Sequence, residues 1–217
     1  MSEAVSPLVH RVLEPRNAGT QALYPAIVLL HGRGADEEDL AGLSPFLDPR
    51  FLFLSVRAPY PFDPGGGFTW YNVEMDGTPD PEMFRHSYAR LNEFVTHALQ
   101  SFPIDPGRLF LLGFSMGTMM ALALALTSPG LFRGVVANSG YVPEKAGLDL
   151  KWSGQSSTSF FIAHGMHDPV IPIALGQRTK SLFEASDASW IYREYPMGHE
   201  ISPESLTDIS EWLKNLI

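Results

Sequence analysis

The chain has 217 residues and a mass of 24.0 kDa, which predicts one domain spanning residues 1–217. Apolar residues make up 45% and charged residues 18% of the sequence, which excludes an intrinsically disordered chain. The 15 Lys and Arg against 24 Asp and Glu give a net charge of −9, which opposes nucleic acid and anionic lipid surfaces, and the absence of Cys excludes disulfides and cysteine nucleophiles.

Short apolar runs bounded by Gly, Pro or Asn alternate with helix-like segments along most of the chain, which is typical of α/β folds. The stretch around residues 9–13 predicts an edge strand. The later runs are continuously apolar rather than alternating, which predicts strands buried on both faces of a mostly parallel sheet. They cover residues 26–30, 51–56, 109–112, 135–137 and 160–163.

Two segments with a 3.6-residue apolar period predict amphipathic helices. The first covers residues 83–102, with Asp80 as its N-cap and Pro81 at its first position, and the second follows Ser202 and Pro203. Residues 60–79 show neither period and are rich in Gly, Pro and aromatic residues. They predict an ordered surface loop, too short for a separate lid domain, of the kind that carries binding residues.

The strongest local signal is the G-x-S-x-G pattern centred on Ser115, between the LFLL run and the helix-like TMMALALAL. A serine at a sharp turn from strand to helix projects its Oγ out of the sheet, and bulky neighbours would obstruct the turn. Gly113 and Gly117 supply that room. The pattern therefore predicts a nucleophilic Ser115, the alternative being a serine that merely caps a helix.

The chain order of serine, acid and histidine in this arrangement limits the other partners. His164, His167 and His199 follow Ser115, and only His199 has several acids before it. Among those acids Asp168 alone directly follows a buried strand, where a parallel sheet presents catalytic groups. We therefore predict that Asp168 and His199 complete a triad with Ser115.

Acyl transfer also needs two donors for the developing oxyanion. The backbone N–H of Met116, directly after the nucleophile, is the first predicted donor. The second is the N–H of Arg33, since the sequence His31-Gly32-Arg33-Gly34 follows the 26–30 strand and its glycines let the chain turn. The alternative is an ordinary glycine turn with a structural His31.

Six motifs together resemble the phospholipase/carboxylesterase group of α/β-hydrolases, which includes bacterial carboxylesterases and acyl-protein thioesterases. The motifs are LLHGRGAD at 29–36, APYPF at 58–62, TWYNV at 69–73, GFSMG at 113–117, HGMHDPVIP at 164–172 and MGHEI at 197–201. The resemblance implies the α/β-hydrolase fold, with a mostly parallel sheet flanked by helices on both faces. It also implies the same triad, the same two oxyanion donors and a position for Trp70 near the acyl groove.

The sequence departs from the acyl-protein thioesterases at two positions. Those proteins typically carry Leu and Gln where this chain has Arg33 and Met116. Because the donors are backbone groups, we expect hydrolysis to survive both changes. We expect the Arg33 side chain to lie in solvent or in an ion pair with Asp36 or Glu37 rather than on the substrate.

These observations predict a serine carboxylesterase that hydrolyses short to medium acyl esters through an acyl-enzyme. The aromatic residues Phe68, Trp70 and Tyr71 are the predicted substrate-binding residues, positioned by the bend at residues 65–67. The same machinery suits a lysophospholipid, a thioester or a lactone. The alternative from another class is a catalytically silent protein that keeps the fold for a ligand or partner.

Neither a cofactor nor a metal is predicted, because the histidines of HGMHDPVIP fall on a loop that the triad needs. The expected partner is a small-molecule ester, and since related proteins are sometimes dimers, a homodimer is compatible with the sequence. The longest apolar run, residues 119–126, is far shorter than the ~20 residues of a membrane span, and the first residues lack a signal-peptide pattern. We therefore expect a cytoplasmic protein with no stable membrane insertion.

Overall fold

The computed structural model describes residues 6–19, 22–75 and 77–217. Nine strands occur within these ranges: β1 (His10–Leu13), β2 (Tyr24–Leu30), β3 (Leu52–Val56), β4 (Tyr60–Pro61), β5 (Phe68–Thr69), β6 (Ile104–Phe114), β7 (Gly134–Asn138), β8 (Ser159–Gly165) and β9 (Ser189–Tyr195). The helices of the same ranges are a 3₁₀ helix (Leu40–Phe46), α1 (Pro81–Ser101), α2 (Met116–Thr127), α3 (Ile173–Phe183) and α4 (Pro203–Lys214).

In the described part of the chain, seven strands form one sheet in the order β1-β3-β2-β6-β7-β8-β9. All neighbours are parallel except β1, which pairs antiparallel with β3 and places His10 opposite Val56. The predicted edge strand and the predominantly parallel sheet are both confirmed.

The sheet separates two apolar cores, which explains why its strands are apolar on both faces. Along β2, Val28 packs with α1 and α2 on one face, whereas Ile27 packs with α4 and the 3₁₀ helix on the other. Helix α2 is buried from Met116 to Leu126, so it is apolar all round rather than amphipathic. The predicted helices on both faces of the sheet are confirmed.

The two predicted amphipathic helices begin where their capping residues indicate. Asp80 accepts hydrogen bonds from the backbone N–H groups of Glu82 and Met83, and Pro81 is the first residue of α1. Ser202 accepts from the N–H of Ser205 at the start of α4. Each cap satisfies backbone donors that a helix start leaves without intrahelical partners.

The structure differs from the sequence prediction in three elements. Strand β6 begins at Ile104, five residues before the apolar run, and α3 was not predicted, because only Gly176, Thr179 and Phe183 of that helix are buried. Residues 60–79 were predicted to form a surface loop without strands. They contain the β4–β5 hairpin, and Thr69 at its end and the next two residues, Trp70 and Tyr71, are buried.

The carboxyl ends of β2, β6, β8 and β9 lie at one edge of the sheet because these strands are parallel. The loops that follow them carry Arg33, Ser115, Asp168 and His199. Residues far apart in sequence are thereby gathered at one edge. Among the described residues, no helix has both the length and the apolar content for crossing a membrane.

Candidate active site

Ser115 occupies a strained turn between β6 and α2. Its φ of 55° and ψ of −120° are rarely adopted by a residue with a side chain. The turn is held by a 3.0 Å hydrogen bond from the Ser115 N–H to the carbonyl of Asn138 at the end of β7. A strained backbone that the surrounding structure enforces is typical of functional sites.

Gly113 and Gly117 are required by close packing around this turn. A Cβ atom on Gly113 would lie 2.5 Å from the carbonyl oxygen of Gly117, and one on Gly117 would lie 1.9 Å from the carbonyl oxygen of Leu30 in β2. Both distances are shorter than a non-bonded contact between a carbon and an oxygen atom allows. The two glycines of the motif therefore let α2 pack directly against the end of β2.

Asp168 is held by the loop that follows β8. Its Oδ1 accepts hydrogen bonds of 2.8 Å from the N–H groups of Val170 and Ile171, and its Oδ2 lies 2.7 Å from His199 Nδ1. Burial alone would raise the pKa of Asp168, but the hydrogen bonds from His199, Ile171 and Val170 hold that pKa below its usual value. The carboxylate is therefore kept ionised and oriented.

His199 lies between Asp168 and Ser115. Since an ionised carboxylate only accepts hydrogen bonds, the Nδ1 of His199 carries a hydrogen that it donates to Asp168. The neutral ring then has a free lone pair on Nε2, which lies 3.0 Å from Ser115 Oγ. The ring also packs against Phe114, with centroids 4.8 Å apart. This arrangement allows His199 to accept the hydroxyl proton of Ser115.

Neither of the other two candidate histidines forms a hydrogen bond to Ser115, although His164 Nε2 lies 3.7 Å from Asp168 Oδ2. His164 is fully buried, and its Nε2–H donates a 2.9 Å hydrogen bond to the carbonyl of Ile171, so it supports the loop of Asp168. His167 is exposed, and its side chain makes no hydrogen bond within the described residues. No group of three or more His, Asp or Glu side chains in that part of the chain has the geometry to hold a metal ion.

Arg33 and Met116 line the same cavity as Ser115. Neither backbone N–H has an acceptor among the described residues, whereas the next N–H along from Arg33, that of Gly34, donates to the carbonyl of Phe68 over 2.8 Å. Unpaired donors beside a candidate nucleophile are what an oxyanion hole requires.

His31 supports the turn that carries Arg33. Its Nε2 accepts a 3.0 Å hydrogen bond from the N–H of Ala58, so its Nδ1 carries the hydrogen that is donated to the carbonyl of Gly32 over 2.6 Å. Burial lowers the pKa of His31, which favours this neutral form. The structural role considered for His31 is therefore compatible with an oxyanion donor at Arg33.

The three aromatic residues predicted to bind substrate separate in the structure. Tyr71 borders the cavity. Trp70 is 0% exposed and is not among the residues that line the cavity; its Nε1–H donates to the carbonyl of His31 over 2.9 Å. The ring of Phe68 packs against the guanidinium of Arg57, and Phe68 lines a different cleft. Substrate binding by these two residues stays a prediction.

The cavity at Ser115 has a volume of about 400 Å³. Besides the residues already discussed, it is lined by Val73, Gly77, Pro79, Met119, Tyr141, Val170 and Leu175. None of these seven is a predicted site residue, although Val73, Gly77 and Pro79 belong to the 60–79 segment that predicts binding residues. Tyr141 closely follows the end of β7 and Val170 follows the predicted acid, so their positions after strand ends are a signal that could have identified them.

The Arg33 side chain is exposed, as expected, but the ion pair with Asp36 or Glu37 is not formed. Glu37 instead receives both the Nε–H and an Nη–H of Arg57. The Arg33 guanidinium lies 5.3 Å from the ring centroid of Phe62, and Arg33 is one of the residues that line the cavity.

Comparison with known proteins gives consistent matches over nearly the whole chain. A family model described as phospholipase/carboxylesterase matches residues 11–217. Acyl-protein thioesterase 1 of Kluyveromyces lactis is 28% identical over 209 residues, covering 88% of this chain and 91% of that protein. The crystal structure of the Bacillus cereus carboxylesterase superposes with a TM-score of 0.84 at 25% identity, covering 97% of this chain and 95% of that one. The predicted resemblance and fold are thereby confirmed.

Proposed function

The chain belongs to the phospholipase/carboxylesterase family and is a hydrolase, and we propose that it cleaves carboxylic esters through an acyl-enzyme on Ser115. The observation that carries this proposal is the position of His199, within 2.7 Å of Asp168 and 3.0 Å of Ser115. The two distances give one imidazole both an orienting carboxylate and a hydroxyl to deprotonate. This is the geometry that nucleophilic catalysis by serine needs.

In the first half of the reaction, Ser115 Oγ attacks the ester carbonyl while His199 Nε2 takes its proton. The imidazolium then gives that proton to the departing alcohol oxygen, which leaves the acyl group on Ser115. In the second half, His199 deprotonates a water, which attacks the acyl carbon. The bond from that carbon to Ser115 Oγ then breaks, His199 returns the proton to Ser115, and the carboxylic acid is released. Asp168 holds the ring and stabilises its positive charge throughout.

The negative oxygen that forms in both halves is stabilised by the N–H groups of Arg33 and Met116. Met116 is the first residue of α2, so its N–H points from a helix N-terminus, which carries partial positive charge. Loss of one donor from such a hole typically costs ~3 kcal/mol of transition-state stabilisation. Both donors are backbone groups, so side-chain identity at these positions leaves the hole in place.

Two related activities use the same machinery. A thioester is favoured by the similarity to acyl-protein thioesterase 1 of Kluyveromyces lactis, and a phospholipid ester, the class to which lysophospholipids belong, by the name of the family model. The apolar side chains around the cavity, including Val170 and Leu175, suit the acyl part of all three substrates. A screen of p-nitrophenyl esters, lysophospholipids and acyl thioesters compares these substrates directly.

The proposal is tested by labelling with a fluorophosphonate, which reacts with activated serine. We expect the label on Ser115 alone, and we expect Ser115→Ala to lose at least ~10³-fold in kcat on a simple ester while remaining folded. His167→Gln is the matched control, since its exposed side chain should leave both labelling and turnover unchanged. Labelling of another residue, or a folded Ser115→Ala variant with full activity, would refute the assignment. An absence of labelling and turnover would favour the silent binding protein.

A further inference from the structure

One residue with a permanently charged side chain, Arg33, lines the cavity at Ser115. Among the described residues that line it, Arg33 alone carries a permanent charge, since the side chain of Asp168 is completely covered and lies behind His199. The backbone N–H of Arg33 is a proposed oxyanion donor, so the Arg33 side chain belongs to a residue that contacts the reacting carbonyl group. A charge at this position is available to the substrate.

The guanidinium of Arg33 has no carboxylate partner among the residues that the structure describes. Of the two acids expected to pair with it, Glu37 is bound by Arg57, and Asp36 Oδ1 accepts from the N–H of Glu38 over 2.9 Å. What Arg33 does contact is the ring of Phe62, which holds the planar group without neutralising it. Its five N–H donors therefore remain available.

Two phenol hydroxyls add polar character to the same cavity. Tyr71 donates to the sulfur of Met119 over 3.0 Å, and the hydroxyl of Tyr141 has no partner among the described residues. Burial raises the pKa of Tyr71 well above its usual value, and the charge of Arg33 opposes that shift. Burial also raises the pKa of Tyr141, so both phenols keep their protons at neutral pH. The hydroxyl of Tyr141, which has no partner among the described residues, can donate a hydrogen bond to a substrate.

We propose that Arg33 binds a carboxylate on the substrate, so that the enzyme prefers esters carrying a second, free carboxyl group. A guanidinium fork matches a carboxylate in shape and forms two parallel hydrogen bonds with it. A single positive charge balances a single carboxylate but leaves a doubly charged phosphate half compensated. This inference rests on the proposed esterase function and names its substrate class.

The test compares substrates that differ only in charge. Monoethyl esters of the C4 to C8 dicarboxylic acids are paired with the isosteric esters in which the free carboxyl is a primary amide. A second arm places the carboxylate on the alcohol, using 4-acetoxybutanoate and 4-acetoxybutanamide. For each pair we measure the ratio of kcat/KM for the anion to kcat/KM for the amide, in which any general effect of a substitution cancels.

In the wild-type enzyme we expect one arm to show a ratio of about tenfold, because the pair is charge-assisted but the Arg33 side chain is exposed to solvent. The ratio should fall towards one in Arg33→Gln, persist in part in Arg33→Lys, and decrease with added salt in the wild type. Arg85→Gln is the control. Arg85 is an exposed arginine of α1 with no ion pair in the described chain, and its loss changes the net charge equally.

A wild-type ratio of one or less in both arms, or a ratio that survives Arg33→Gln, would overturn the proposed carboxylate site. A ratio that falls equally in Arg85→Gln would do the same, because it would reflect overall charge. Hydrolysis of the amide-bearing esters by the wild type reports on the esterase function itself. If those neutral esters are cleaved while the anions gain nothing, this inference fails and the proposed function stands.

Discussion

At the scale of single residues, His31 shows how a buried ring fixes the geometry of catalysis. It donates to the carbonyl of Gly32 and accepts from the N–H of Ala58, which ties the turn of Arg33 to the end of β3. Trp70 adds a hydrogen bond to the carbonyl of the same histidine. The position of the proposed oxyanion donor thus depends on side chains that never meet the substrate.

His31 predicts a pH dependence of stability. Burial lowers its pKa in the folded state, whereas an unfolded histidine titrates near ~6.5. Between those two values the unfolded chain binds more protons, so the free energy of unfolding falls as pH decreases below ~6.5. The contribution of neutral His31 is complete above that pH and is lost progressively towards the lower, folded pKa.

The measurement is denaturant unfolding of the wild type and of His31→Gln at several pH values from 5 to 8. We expect the wild type to be more stable at pH 8 and the difference between the two proteins to shrink as pH falls towards 5. His167→Gln is the control, because this exposed side chain should leave the pH dependence of the wild type unchanged. A difference that is constant with pH would show that His31 is not held neutral.

At the scale of elements, the nucleophile turn joins α2 to the end of β2. Gly117 lies one residue after Met116, and its Cα faces the carbonyl oxygens of Leu30 and His31, two residues before Arg33. This contact therefore sets the separation of the two proposed oxyanion donors. Packing between two elements, rather than any one side chain, determines the size of the hole.

Gly117→Ala should consequently damage both stability and catalysis. Its Cβ would lie 1.9 Å from the Leu30 oxygen, so α2 has to move away from β2. Such overpacking typically costs about 1–3 kcal/mol, and misplacing one oxyanion donor costs about 10²-fold in kcat. The matched control is Gly42→Ala in the 3₁₀ helix, where a Cβ meets no atom within 4 Å. Unfolding curves and ester turnover are measured for both variants. If Gly117→Ala were as stable and as active as Gly42→Ala, the close packing of α2 against β2 would not be what positions the donors.

Elements whose sequence carries a capping residue and a regular apolar face were predictable, and elements that lack both signals were not. Helix α1 was placed to within two residues because Asp80 and Pro81 mark its start and its apolar face is regular. Helix α3 lacks both signals, since Pro172 precedes it without a side-chain cap and few of its residues are buried. Its position depends on packing against β8, which is a contact between distant parts of the sequence.

At the scale of the whole molecule, the order of motifs along the chain predicted which residues the sheet gathers, because parallel strands present their carboxyl ends at one edge. The direction of individual side chains in residues 60–79 was not predictable, because this segment has no helical or strand periodicity. Trp70 and Tyr71 are neighbours, yet Trp70 donates a hydrogen bond to the carbonyl of His31 whereas Tyr71 borders the cavity. The partner of Glu37 was equally hidden, because Arg57 is twenty residues further along the chain.

The shape of the cavity predicts a dependence on acyl length. It continues into a second cleft of about 370 Å³, with Tyr141 and Leu175 lining both, and the far end of that cleft carries Lys145 and the Arg178–Glu144 ion pair. Each acyl CH₂ that reaches the apolar wall gains at most ~0.8 kcal/mol, or about fourfold in kcat/KM. The gain should end where the chain meets these charges.

We therefore expect kcat/KM to rise from acetyl to about butyryl or octanoyl esters and then to fall, measured with monomeric substrate below micelle formation. Leu175→Ala should flatten the rise, because it removes apolar surface shared by both cavities but no group near the scissile bond.

Trp70→Phe is the variant to compare with Leu175→Ala. It deletes the hydrogen bond to His31 without changing the cavity wall, so it should slow acetyl and octanoyl esters by the same factor. Palmitoyl esters as the best substrates would show that the charged end does not limit the chain. A Trp70→Phe loss confined to long acyl groups would support the predicted place of Trp70 in the acyl site.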